Sequence, residues 1–124
     1  MIRNLILVGC GSFVGGALRY LMGQMFAGRV LMGFAPGTMS VNLVGCFLFG
    51  VIYGVIERCG ALQSGWALLL TVGFCGGFTT FSTFSNEALT LMREGALLPL
   101  LGYVLMSVVG GIALLMLGRH LVGG

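Results

Sequence analysis

The chain has 124 residues, of which 58% are hydrophobic and only 7% charged, and its six Lys/Arg positions, all arginine, against three glutamates leave a formal net charge of +3. A water-soluble domain carries roughly 25% charged residues, so this composition excludes a globule solvated by water and places the chain in lipid. The charges are scattered, which gives no basic patch for nucleic acid, and Cys10, Cys46, Cys59 and Cys75 lack metal or redox spacing, so they read as buried small hydrophobes rather than disulfide partners.

Four apolar segments follow in chain order, at about residues 4–27, 38–56, 62–92 and 97–117, and they make a single transmembrane domain. Arg3 precedes a run containing Leu7-Val8-Gly9-Cys10, superficially a lipoprotein cleavage box. The apolar stretch before Cys10 is shorter than the ~7–15 residues of a signal core, and the run continues past the cysteine, so the segment reads as an uncleaved membrane helix. The third segment is too long for one straight span of ~20 residues. Gly73-Phe74-Cys75-Gly76-Gly77-Phe78-Thr79-Thr80-Phe81-Ser82-Thr83-Phe84 explains the excess as a break near residues 75–80.

The connections are short. Gly28-Arg29 to Pro36-Gly37, Glu57-Arg58-Cys59-Gly60 and Arg93-Glu94-Gly95 carry turn chemistry and no domain. Arg3, Arg58 and Arg119 fall on one side of the membrane, and Arg29, Arg93 and the late-helix Arg19 on the other. This balance leaves orientation open: either the chain inserts both ways up and pairs antiparallel, or something other than charge selects one orientation. Gly11/Gly15, Gly50/Gly54 and Gly73/Gly77 each lie four apart, a spacing that lets helix backbones approach closely in lipid.

Polar residues inside hydrocarbon are costly and mark functional positions. Gly76-Gly77 gives no side chains to support a helix, and Thr79, Thr80, Ser82, Thr83 and Ser85 are helix-cap types. A break there leaves carbonyls that suit a cation and N–H groups that suit an anion, or else a softened kink whose hydroxyls bond back to their own helix. Phe81 and Phe84 share a face, either as packing residues or as positive ring edges toward an anion. Asn42, after Thr38 and Ser40, faces a pore or bridges helices. Arg19 snorkels or lends positive potential to an anion entrance. Glu87 continues the Phe84 face near the membrane edge. Tyr103 and Ser107, with Gly111 one turn on, form a polar track or an interhelical seam.

The chain resembles the small bacterial fluoride channels called Fluc or CrcB proteins. The resemblance rests on the Gly-rich first helix with Arg19-Tyr20, on Gly37-Thr38-Met39-Ser40-Val41-Asn42-Leu43-Val44-Gly45, and on the helix-three run from Gly73 to Ser85, and it covers essentially the whole chain. It implies an all-α protein of four transmembrane helices, with the third broken. It also implies an antiparallel, dual-topology homodimer in the bacterial inner membrane, passing fluoride passively out of the cell. Phe81 and Phe84 would meet fluoride with their ring edges, and Asn42 would be the pore amide. Tyr103 and Ser107 would belong to a polar track, with Thr38, Ser82 and Thr83 as further hydroxyls. Glu87 would lie at the far end of the pore and Arg19 in the vestibule. The backbone carbonyls of Gly76 and Thr79 would hold a structural sodium ion at the dimer centre. Gly111 stands at the track's next position, so no hydroxyl is expected there. A small four-helix multidrug exporter needs an acid in helix one, and this helix has none. A non-transporting membrane subunit would use its polar residues for packing alone. No nucleophile–base or metal constellation supports an enzyme.

Overall fold

The computed structural model describes residues 1–26, 28 and 36–123. Ala27 and Arg29, which the sequence places at the end of the first helix and in the first loop, lie outside the described residues. Among the described residues four helices are long and apolar enough to cross a membrane: α1 (Ile2–Met25), α2 (Gly37–Arg58), a third span (Gly65–Arg93) and the last helix (Leu97–Leu121). The third span is interrupted at Thr79 and Thr80. We label its first half α3 (residues 65–78), its second half α4 (Phe81–Arg93) and the last helix α5 (Leu97–Leu121).

Turn chemistry sets the ends. Ser64 caps α3 by accepting the Ala67 N–H at 3.3 Å. Gly60 and Gly95 take φ of 69° and 72° after α2 and α4. At Gly95 this left-handed residue lets its own N–H reach the Met92 carbonyl (3.1 Å) and the Ala96 N–H reach that of Leu91 (3.0 Å), which satisfies the last turn of α4.

Glycine spacing then selects partners. A Cβ on Gly15 would run into the Phe74 carbonyl, one on Gly11 into the backbone of Leu69 and Phe74, and one on Gly77 into Ser12, so α1 and α3 meet backbone to backbone. They run parallel, with Arg3 beside Gly65 at one end and Arg19 bonded to Gly77 at the other. α2 and α5 repeat the pattern: a Cβ on Gly50 would strike the Leu115 carbonyl, and one on Gly118 that of Phe47. The far end of this pair is tied by Arg119 Nη2 to Glu57 Oε1 at 2.6 Å and by Arg58 Nη1 to the Val122 carbonyl at 3.0 Å. Gly45 brings α2 against Phe78 and Thr79 at the break.

Eight residues of α3, Leu68–Cys75, are π-helical, a form that in other proteins clusters at functional sites. Within one copy the closed core is small: Met39, Leu91 and Tyr103, with Phe84 and Leu43 packed against it. Most large apolar side chains face outward, among them Phe13 and Phe81, as suits a chain surrounded by lipid. Two cysteines depart from the expected burial. Cys75 is buried and Cys46 partly so, but Cys10, on α1, and Cys59, in the turn that ends α2, are exposed. None of the four is in a disulfide.

Candidate ion pathway at the helix break

The break is built from four threonine and asparagine hydrogen bonds. Thr79 and Thr80 adopt extended backbone, with φ/ψ of −89°/159° and −146°/119°. Thr80 then caps α4: its Oγ1 accepts the Thr83 N–H at 3.3 Å and donates to Thr83 Oγ1 at 3.2 Å. Asn42 on α2 reaches across and takes both backbone groups of Thr80, accepting its N–H at 2.8 Å and donating to its carbonyl at 3.0 Å.

The carbonyls of the break are thereby sorted. Cys75 receives the Thr79 N–H and hydroxyl, both at 3.0 Å. Gly77 receives Arg19 Nε at 3.2 Å, and Gly73 receives the Ser12 hydroxyl at 3.3 Å. In a continuous helix Gly76 would receive the Thr80 N–H and Thr79 that of Thr83. Both donors are diverted, the first to Asn42 and the second to the Thr80 hydroxyl. Gly76 and Thr79 together line a cleft of ≈ 480 Å³. Backbone carbonyls released from their helical donors are the oxygen ligands a hard cation accepts, and both residues line this cleft, so their chemistry suits the sodium role that the sequence resemblance implies.

Two further clefts share Thr80. One, of ≈ 290 Å³, is lined by Arg19, Thr38, Thr80, Thr83 and Glu87. There Glu87 is held by two hydroxyls, Tyr103 Oη at 2.6 Å and Thr38 Oγ1 at 3.0 Å. The other, of ≈ 260 Å³, is lined by Asn42, Thr79, Thr80, Phe81, Phe84 and Ser107. The Ser107 hydroxyl is buried with no hydrogen-bond partner among the described residues. Phe81 and Phe84 stand with ring centroids 5.8 Å apart, and Phe84 stacks on Tyr103 at 5.1 Å. Phe84 is thus anchored in the core, whereas Phe81 is 78% exposed and projects from the protomer.

The structure therefore divides the residues singled out in the sequence into two groups. Arg19, Thr38, Thr83 and Glu87 gather in the first cleft; Asn42, Phe81, Phe84 and Ser107 gather in the second. Tyr103 is fully buried and lines neither; it is a seam residue that fixes Glu87. Ser82 is exposed and lies 3.4 Å from the Thr80 hydroxyl, outside both clefts. A Cβ at Gly111 would meet Cys46 Sγ at 3.1 Å, so that position is filled by the thiol of the facing helix. The sequence names Thr80 as a helix-cap type but not as a pathway residue, and the structure makes it the one threonine common to both clefts. Its signal lay in residue type and place: a threonine three residues after the Gly76-Gly77 pair and just ahead of the second half of the span can cap the helix that follows.

Polar clefts meeting at an interrupted membrane helix define a multi-pass membrane protein whose polar backbone is kept at membrane depth, an arrangement found where such proteins handle ions. The chain belongs to the family described as CrcB-like protein, Camphor Resistance (CrcB), whose model matches residues 6–119. A relative from Leptospira interrogans serogroup Icterohaemorrhagiae serovar Lai is 45% identical over 111 residues, covering 89% of this chain and 87% of its own. One from Chlorobium phaeobacteroides is 44% identical over 119 residues, covering 94% and 91%. One from Phocaeicola vulgatus is 42% identical over 116 residues, covering 94% and 95%. Each of the three bears the name Fluoride-specific ion channel FluC.

Proposed function

We propose that this chain is a fluoride-selective channel that lets fluoride leave the cytoplasm passively across the bacterial inner membrane. The observation that carries the reading is Ser107. A buried hydroxyl without a partner is costly in lipid unless something else comes to meet it. It lies in the same cleft as two phenylalanines and an amide. Fluoride is small and strongly hydrated, so a pore must replace its water with donors while binding weakly enough to release it. Hydroxyl and amide donors beside positive ring edges meet both needs. Arg19 lends positive potential to the first cleft, and Thr38, Thr80 and Thr83 offer hydroxyls there. Glu87 marks the far end of that route, with Tyr103 as its support, and Ser82 sits beside the Thr80 cap.

The active form in this reading is an antiparallel homodimer. Phe81 and Gly76 are exposed on one protomer, and a second copy would cover them. The Gly76 and Thr79 carbonyls would then hold a sodium ion at the shared centre, which neutralises backbone oxygens left without their helical donors. The near-equal arginine count on the two sides favours insertion both ways up.

Efflux from liposomes carrying the purified protein tests the central reading. Fluoride is expected to leave and chloride to stay; retention of both, or equal efflux of both, overturns it. Phe81→Ile keeps bulk and removes the ring edge, so fluoride throughput should fall; unchanged throughput removes the aromatic role. Tags on the C-terminus should report both sides of the membrane, and a single side refutes dual insertion.

A further inference from the structure

Asn42 uses both ends of its amide on one residue. Its Oδ1 takes the Thr80 N–H at 2.8 Å and its Nδ2 gives to the Thr80 carbonyl at 3.0 Å. The contact imitates the two-bond pairing of neighbouring strands, and Thr80 has the extended φ/ψ of −146°/119° that such pairing requires. The amide can reach because Gly45, three residues on along α2, lets Phe78 and Thr79 lie against the α2 backbone. The bond has a consequence one turn back. The Thr80 N–H is the donor that a continuous helix would deliver to the Gly76 carbonyl, and Asn42 removes it.

We infer that Asn42 is a positioning residue for the cation site: its amide holds Thr80 extended, withholds the helical donor from Gly76, and so keeps the Gly76 oxygen free to bind a hard cation. This rests on the reading of Gly76 and Thr79 as the sodium-binding carbonyls. Only a side chain carrying an acceptor and a donor on one short planar group can make both bonds. A serine or threonine hydroxyl reaches one backbone group at a time, and an ionised carboxylate accepts without donating. With both heavy atoms of the amide engaged, a single N–H of Asn42 remains for an anion in the adjoining cleft. Asn42 therefore governs the cation site first and the anion route second.

Thermal unfolding of the purified protein in detergent tests this, in sodium chloride and in N-methylglucamine chloride of equal ionic strength. The wild-type chain is expected to melt higher in sodium. Asn42→Ala should lose that sodium-dependent rise, while Ser107→Ala, which removes a donor from the same cleft without touching Thr80, should keep it. A rise that survives in Asn42→Ala, or is lost equally in Ser107→Ala, overturns the positioning role and leaves the sodium reading standing. A wild-type chain that melts alike in both salts overturns the sodium reading itself. Hydrogen exchange at the Thr80 amide of the wild-type chain gives a measurement independent of whether Asn42→Ala folds. Slow exchange supports the bond to Asn42, and exchange as fast as an open loop overturns it.

Discussion

The half of the third span before the break, residues 65–78, meets α1 backbone to backbone, through Gly11, Gly15, Gly73 and Gly77. The half after it, Phe81–Arg93, meets α2 and α5 through side chains: Glu87 to Thr38 and Tyr103, and Phe84 to Tyr103. Lipid tails are as apolar as leucine, so burying apolar surface cannot by itself choose a helix partner. The first half solves this with missing side chains, which allow van der Waals contact at distances no other pair can reach. The second half solves it with polar groups, which have few partners in the membrane and so accept one geometry. Between the two, at Thr79 and Thr80, the backbone itself is the polar group, and Asn42 and the Thr80 hydroxyl decide which of its atoms remain free.

Four substitutions break or sharpen that contrast, in falling order of effect. Gly15→Leu forces a side chain into the Phe74 carbonyl and should separate α1 from α3. Its cost is expected at the upper end of overpacking, about 3 kcal/mol, or as loss of monodisperse protein on size exclusion. Tyr103→Phe removes a hydroxyl from a carboxylate in the seam of the second half. A hydrogen bond to a charged group is worth roughly 1.5–3 kcal/mol, which reversible unfolding in detergent would register. Thr80→Ala deletes the cap of α4 while leaving the backbone bonds to Asn42, for a loss of about 1 kcal/mol in the same assay. Ser12→Ala removes the hydroxyl that touches the Gly73 carbonyl at 3.3 Å. Interhelical hydrogen bonds in membranes average about 0.6 kcal/mol, and this one should cost no more if close backbone contact already holds the first half. A Ser12→Ala loss equal to that of Tyr103→Phe would erase the distinction between the two halves.

Much of the fold was legible because membrane chemistry leaves few choices. Four apolar runs required four helices, and the length of the third, with Gly76-Gly77 inside it, pointed to a break or a softened kink. The glycine pairs announced close helix contacts. Their partners did not follow, since the same spacing on Gly50/Gly54 and Gly73/Gly77 fits several pairings equally well. Asn42 shows the limit most clearly: pore lining and helix bridging are equally consistent with an amide in α2, and only its two bonds to Thr80 reveal the bridging contact. Tyr103 and Ser107, one turn apart on one helix, read as one polar track or one interhelical seam. In the structure the first is spent on Glu87 and the second has no hydrogen-bond partner among the described residues.

Composition and periodicity alone determined that the chain spans the membrane four times, that its third span is interrupted, and that the interruption gathers its backbone and hydroxyl polarity. Those follow from local energetics, because each residue must be satisfied where it lies along its own helix. Which carbonyls at the break lose their donors, which hydroxyl stays unpaired, and that Thr80 joins both clefts were decided by tertiary structure. The Thr80 cap is local, but Asn42 from α2, Arg19 from α1 and Tyr103 from α5 each arrive at a position that no spacing along the chain encodes.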